Sequence, residues 1–540
     1  MNKTSTALIA VLVLSALGLS ACSTTAKSQE QHSCYIRANA EETGEPLLPG
    51  TSESGNNLRV MKMLYSGLVY IDKDNKLQND LAKEIKQVKS TLYQVILKPN
   101  LEFSDGSPIT AESFVDAWNY QVSEEDPNSS MFSPIAGFMD DKENSTPLSG
   151  LKILNPTTFT IELSTPLSDF LMRLSHPTFS PLPKAAFTAP EGIKAYAKHP
   201  ISSGPYVLES WVANQSMRLA KNPKYQGPRA AANDGVDFIM YTRGIKPYED
   251  LLSGKLDVTD TFSPTGYQNY RTDLPGRYIA RPSSSLIELS IHAETPHFEG
   301  EEGVMRRQAL SMAIDRKYLG EKVLGGAYVP ATGFVPAEIP GGEVAAKDRE
   351  TLTYNPKKAK ELWQQADSIY GAFKGPVPVH FSFDISDNHK WGPAVAEQLR
   401  KNLGLDSVPV SGADFVRFRY DFQHVRFDGM YRTGWQADYP SLRSYLETNY
   451  ATNGASNDTK YSNNKVDELF EQADAAKTPA EATKYYQQAQ TLLLEQLPAI
   501  PLLSPVETVG WNANVSHVDI DFDTYPNYSM IMKNGPGCQP

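Results

Sequence analysis

Long apolar runs, clustered basic residues and cysteines are all scarce in this chain, and each shortage narrows its function. After Leu19 no stretch is apolar for long enough to cross a bilayer as a helix. No block of Lys and Arg gathers anywhere, and the formal net charge is −12. That balance argues against a nucleic-acid partner, because phosphate binding needs a basic face. The G-x-S-x-G elbow is missing, and so is the G-x-x-x-x-G-K-[ST] loop: Gly254-Lys255 lacks both the earlier glycine and the following hydroxyl. Nine histidines form no H-E-x-x-H or H-x-H arrangement, His292 and His297 being the closest distinctive pair. Neither catalysis nor a metal or other cofactor is therefore expected. No internal repeat at a solenoid period is present.

What remains is ordinary globular composition, 40% hydrophobic and 21% charged, in 540 residues, enough for about three domains. The N-terminus reads as a processing signal rather than as part of the fold. Lys3 supplies a positive start, and Ala7–Leu19 is apolar but short. It runs into Leu19-Ser-Ala-Cys22, which resembles the lipobox of bacterial lipoproteins. The resemblance implies cleavage before Cys22 and lipidation of that cysteine, with residues 1–22 as signal peptide and the polar residues 23–32 as tether. An ordinary signal peptide with a chance cysteine is the alternative. With Cys22 acylated, Cys34 and Cys538 are the cysteines left, in an oxidising compartment. They are expected to pair, which needs both chain ends in one domain; two free thiols are the other possibility.

Periodicity places the main elements. Leu58–Tyr70 carries Val60, Met63, Leu64 and Leu68 near helical spacing, and Asp72–Asn75 is a turn. Tyr93–Leu97 reads as a strand, Phe103–Gly106 as a turn, and Thr110 as the cap of a helix from Ala111 to Tyr120. Val377–Phe383 alternates as a strand, followed by an amphipathic helix over Asp387–Leu403 with Val395, Leu399 and Leu403 on one face. Thr478-Pro-Ala-Glu481 is a capping box that opens a helix to about Leu497, and Ala499–Leu503 is a short apolar strand. Phe427–Trp435 is extended and aromatic, and Asp438 follows its end, where loops tend to carry binding residues. Taken locally, Asp438 before Tyr439-Pro440 equally well shapes a turn.

A family resemblance resolves the ambiguity. Leu97-Lys-Pro-Asn-Leu-Glu-Phe-Ser-Asp-Gly-Ser-Pro-Ile-Thr-Ala-Glu-Ser-Phe114 resembles the signature segment of the peptide/nickel-type extracellular solute-binding proteins of ATP-driven importers. Leu64-Tyr-Ser-Gly-Leu-Val69, Ser203-Gly-Pro-Tyr206, Lys221-Asn-Pro-Lys-Tyr225, Ser253-Gly-Lys-Leu-Asp257 and Arg307-Gln-Ala-Leu-Ser-Met-Ala-Ile-Asp-Arg316 are similar to that family too. Each motif is weak, but the set keeps family order from about Leu58 to Leu503. The resemblance implies an α/β fold of two lobes around a cleft, with mixed sheets flanked by helices and an extra domain. The first lobe would be discontinuous, comprising residues 33–57, 202–276 and 504–540. The extra domain would span 58–201 and the second lobe 277–503.

The resemblance also assigns a site. Arg432-Thr-Gly-Trp-Gln-Ala-Asp-Tyr439 is similar to a run of the oligopeptide-binding members, in which the aspartate matching Asp438 pairs with the α-ammonium of the peptide. Trp435 would wall the pocket, and the backbone of Gly434 to Gln436 would pair with an extended peptide. Arg432 and His389, the latter in Asp387-Asn-His-Lys390, match residues near the peptide carboxylate. Gln436 departs from the small residue often found there. The implied function is a lipid-anchored extracytoplasmic receptor, monomeric, that delivers oligopeptides to the permease subunits of an importer whose ATPase subunits lie in the cytoplasm. Oligosaccharide or metal-chelate binding on the same fold stays open, as does a surface adhesion or chaperone-like lipoprotein.

Overall fold

The computed structural model describes Cys34 to Cys538 apart from residues 44–45, 52–54, 125, 139–146, 190–191, 243–245, 425–426 and 536–537. Cys22, the signal peptide and the tether lie outside the described residues. Among the described residues, a twelve-stranded mixed sheet runs through the molecule. Four of its strands organise the rest: β1 (Tyr35–Ala40), β2 (Ser285–Ser290), β3 (Met430–Gln436) and β4 (Ala499–Trp511).

β1 lies parallel to Gly235–Met240, which continues antiparallel through Ser216–Lys221 to Tyr206–Val212. Its other edge touches Val258–Thr259 in parallel. At the far end, Pro409–Ser411 and Val379–Phe381 run parallel to one another, and the latter lies parallel to β3. β3 is antiparallel to β2, and β2 is antiparallel to the first part of β4.

β4 joins these two halves. Its residues Ala499–Leu503 pair with β2, while Val506–Gly510 pair with Tyr278–Pro282. The short strand expected over Ala499–Leu503 thus runs on to Trp511, and the expected lobe boundary at 504 falls inside one continuous strand. Pro505 lies just past the expected end, where a residue that cannot donate to a ladder reads as a stop, although Pro501 stood inside the expected strand. Here each proline supplies only its carbonyl: Pro501 O accepts from Arg316 Nε (2.8 Å) and Pro505 O from the Ser283 N–H (2.8 Å). The register also shifts at Ile287/Glu288, opposite Pro501.

Residues 82–162 build a separate four-stranded antiparallel sheet, in the order Ala82–Lys89, Leu92–Leu97, Thr158–Glu162, Leu151–Asn155. Its helix Ala111–Ser123 starts where Thr110 predicts, with the Thr110 N–H donating to Ser113 Oγ (3.2 Å). Trp118 on that helix is fully buried. It meets Phe159 edge-on at 5.8 Å and donates its Nε1 hydrogen to Phe179 O (3.0 Å). The core of this sheet is continuous with that under β1. The first helix is shorter than expected, Gly55–Leu64, because the chain turns into the strand Val69–Ile71. Helices Asn388–Leu403 and Pro479–Gln496 lie close to their expected bounds, with Val395, Leu399 and Leu403 buried and the Thr478 hydroxyl accepting from the Glu481 N–H.

Two chemical ties bring the chain ends together. Cys34 and Cys538 are disulfide-bonded, with their Cα atoms 5.4 Å apart. Asp257, wholly buried, accepts from the Arg37 N–H (2.8 Å) and guanidinium (3.0 Å), from Asn514 Nδ2 (2.7 Å) and from Lys533 Nζ (2.9 Å). Burial alone raises a carboxyl pKa, yet these donors outweigh it and hold Asp257 below its usual range. A Cys34→Ser, Cys538→Ser double variant is expected to lose about 2–5 kcal/mol of stability, since a crosslink over so long a loop restricts the unfolded chain strongly. Calorimetric melting of the double variant beside the wild type measures the loss.

Candidate functional site

The candidate site is built on β3. Its buried side is fixed by Tyr431, whose hydroxyl donates to Asp458 O (2.9 Å), and by Thr433, whose hydroxyl meets Ser290 Oγ at 2.6 Å. A Cβ on Gly434 would stand 2.3 Å from Leu286 O, so only glycine permits the observed pairing with β2 there.

The other edge of β3 is mostly open. Val379–Phe381 pairs only with Met430 and Tyr431, and the Met430 N–H donates to Pro378 O (2.9 Å). Strand alternation then turns the peptide groups of Gly434 and Gln436 towards that same edge. Among the described residues no strand covers them. An edge of this kind is a template for an added strand.

Asp438 lies two residues beyond this edge, between buried Ala437 and buried Tyr439. Among the described residues its carboxylate has no hydrogen bond and no cation within 4 Å. By accessible surface it is exposed, yet protein surrounds it closely enough that burial raises its pKa, with Arg173 and Lys62 pulling the other way. Its exposed side opens into a hollow that it lines. That hollow, about 960 Å³ in part open to solvent, is also lined by Lys62, Tyr65, Tyr70, Arg229 and Tyr525. Burial in turn lowers Lys62 to about 8, although Asp521 and Asp438 oppose the shift. Lys62 forms an ion pair with Asp523.

Arg173 and Lys62 face Asp438 because the two sides of the cleft touch. Ser441 Oγ donates to Asp169 Oδ2 (2.6 Å), Asn75 Nδ2 donates to Glu338 O (3.1 Å), and the Arg173 guanidinium lies 5.8 Å from the Tyr439 ring centre. Nothing in the sequence marks these two cations. Lys62 sits within an ordinary helix and Arg173 ends a four-residue one, neither inside a distinctive motif.

The remaining candidates fall into two groups. Trp435 is half-buried against the core beneath the cleft, and its Nε1 hydrogen is buried without an acceptor among the described residues. Gln436 borders a second hollow. Arg432 is further along β3. Burial lowers its pKa while Tyr328 and Asp384 oppose this; its guanidinium lies 5.6 Å from the Phe415 ring centre, and among the described residues its Nε finds no acceptor. His389 is exposed at the start of Asn388–Leu403, and its Nε2 meets Phe383 O at 2.6 Å. Tyr328, beside Arg432, donates to Asp387 (3.0 Å), which brings Arg432 near the helix start that carries His389. Among the described residues no group of three or more His, Cys, Asp or Glu is arranged for a metal, and no helix is long and apolar enough to cross a membrane.

Residues 76–457 match the family model for bacterial extracellular solute-binding proteins, family 5. The chain belongs to this family. Among its curated relatives, the periplasmic oligopeptide-binding protein OppA of Escherichia coli (strain K12) is 26% identical, over 99% of this chain and 100% of that protein. The probable deoxycholate-binding periplasmic protein YgiS of the same organism is also 26% identical, over 91% of this chain and 92% of its own length. The structure of Haemophilus influenzae OppA in complex with RPPGFSPFR superposes with a TM-score of 0.73 at 20% identity, covering 93% of this chain and 99% of that one. This family 5 protein therefore has the two-lobed α/β architecture expected from its sequence, and it is a solute-binding protein.

Gly434→Ala is expected to push β3 away from β2 and to lower stability by about 1–3 kcal/mol, the usual cost of overpacking a close contact. Urea unfolding of the variant reads this directly.

Proposed function

We propose that this chain captures oligopeptides in the cleft between its lobes and delivers them to an ATP-driven membrane importer. The observation that carries the reading is Asp438: a carboxylate that burial pushes towards protonation, without a close cation among the described residues, placed at the end of an open strand edge. A peptide supplies both missing partners at once. Its α-ammonium compensates Asp438, and its backbone adds to β3 at Gly434 and Gln436, giving affinity that does not depend on side chains. Trp435 walls the pocket and offers its indole N–H. Arg432 and His389, farther along the cleft, serve the peptide's carboxylate end. Kinship with oligopeptide-binding proteins supports the same choice of ligand.

Residues 33–57, 202–276 and 504–540 form one lobe in this reading, 277–503 the other, and 58–201 an added domain. The ligand holds them closed, and the permease subunits recognise the closed form. Cys22 carries the lipid that keeps the receptor at the outer face of the membrane.

Asp438→Ala is expected to cost about 2–5 kcal/mol of peptide binding, as loss of one partner of an enclosed charge pair does. N-acetylated peptides should lose a similar amount. Titration calorimetry giving equal affinity for acetylated and free peptides would remove Asp438 from the amine role. The pH dependence has a definite sign. The Asp438 pKa is raised above its usual 3.8 in the ligand-free protein, and only its ionised form holds an ammonium. Affinity should therefore be constant near neutrality and decline as pH falls through that raised value, an effect absent in Asp438→Ala.

A further inference from the structure

The hollow beside Gln436, about 690 Å³, is walled by four carboxylates, those of Glu41, Asp260, Glu507 and Asp523, against one guanidinium, Arg59. Two of the four are already matched. Asp260 takes Arg59 Nη1 (2.7 Å) and Asn39 Nδ2 (2.8 Å), and Asp523 pairs with Lys62. Glu41 is exposed and accepts a long bond from Asn56 Nδ2 (3.4 Å).

Glu507 is different. It stands on β4 with its backbone locked opposite Arg281, and its side chain lines the hollow. Among the described residues its carboxylate has neither a hydrogen bond nor an ion pair. It is partly exposed, and the hollow borders it. Burial, with Asp260 adding to it, raises its pKa to about 7. An unpartnered carboxylate whose ionised form burial disfavours is costly, and a cation brought beside it recovers that cost. The hollow also provides Tyr525, whose ring already stacks under Arg59 at 5.0 Å, as a surface for the methylenes of a long side chain.

We infer that this hollow is a subsite for a cationic side chain of the bound peptide, a lysine or arginine near its N-terminus, and that Glu507 determines that preference. The inference rests on the peptide reading of the cleft. The position follows from Gln436, which borders the hollow two residues before the proposed amine anchor Asp438.

The test is titration calorimetry of the mature protein with alanine tripeptide and pentapeptide hosts. Each host carries one Lys or one Glu at the first, second or third position. At one position Lys should bind about tenfold tighter than the all-alanine host, and Glu there correspondingly weaker, in line with one enclosed charge pair. Glu507→Gln should bring the Lys and Ala peptides to within about threefold of each other while leaving the all-alanine affinity nearly unchanged. Wild-type protein that binds all-alanine hosts but gains nothing from Lys at any position overturns the subsite and leaves the peptide reading intact. A lysine advantage that persists in Glu507→Gln also overturns it. Failure of every peptide to bind, all-alanine included, removes the peptide reading and the subsite with it. Wild-type discrimination between Lys and Glu decides the matter even if the variant folds poorly.

Discussion

Backbone hydrogen bonding along β4 constrains everything else in this molecule. Its first residues belong to the half of the sheet that holds β2 and β3, and its last to the half that holds β1. Changing the cleft while keeping both ladders requires bending within this strand and its neighbours. The stretch around Pro505 is itself bonded, pairing with Tyr328–Pro330 and accepting from the Ser283 N–H. The tail beyond β4 is tied back to β1 by Asp257 and by the Cys34–Cys538 bridge. The first half is thereby a stable base, against which β3 and its ligand-facing edge are positioned.

On that frame the cleft is electrostatically unfinished. Asp438 sees Arg173 and Lys62 across the gap, but neither comes within 4 Å. Lys62 is committed to Asp523, and burial lowers its affinity for a proton. In the proposed binding mode a ligand cation would meet a carboxylate whose ionised form burial already disfavours. Contacts such as Ser441–Asp169 hold the segment that carries Arg173 near Asp438. In the proposed closure, binding and the approach of the lobes would act on one set of charges, the linkage a receptor needs if closure is to report occupancy.

Local patterns carried much of the architecture. The helix after Thr110, the amphipathic helix over Asn388–Leu403 and the Thr478 cap were legible because each rests on interactions within a few residues. β3 was legible for the same reason, through its aromatic, extended composition. The length of β4 was not, because Pro505 reads as a strand breaker unless its carbonyl partner, the Ser283 N–H, is known. Lys62, Arg173 and Glu507 were invisible as site residues. Each is an ordinary charged residue in an ordinary element, and only the packing of distant segments turns it towards the cleft.

By itself, the sequence determined that this chain is an exported-type α/β protein without enzyme motifs, and through ordered resemblance it singled out Asp438 and its neighbours. Those properties depend on residue type, spacing and order, which a linear chain displays. Tertiary structure alone decided that, among the described residues, β3 keeps an open edge and Asp438 lacks a close cation, and that Glu507 borders a hollow beside Gln436. Each of these is a statement about what does not lie next to a group. Such gaps arise only when segments hundreds of residues apart are brought together, because burial and unmatched charge belong to the packed environment and not to any one residue.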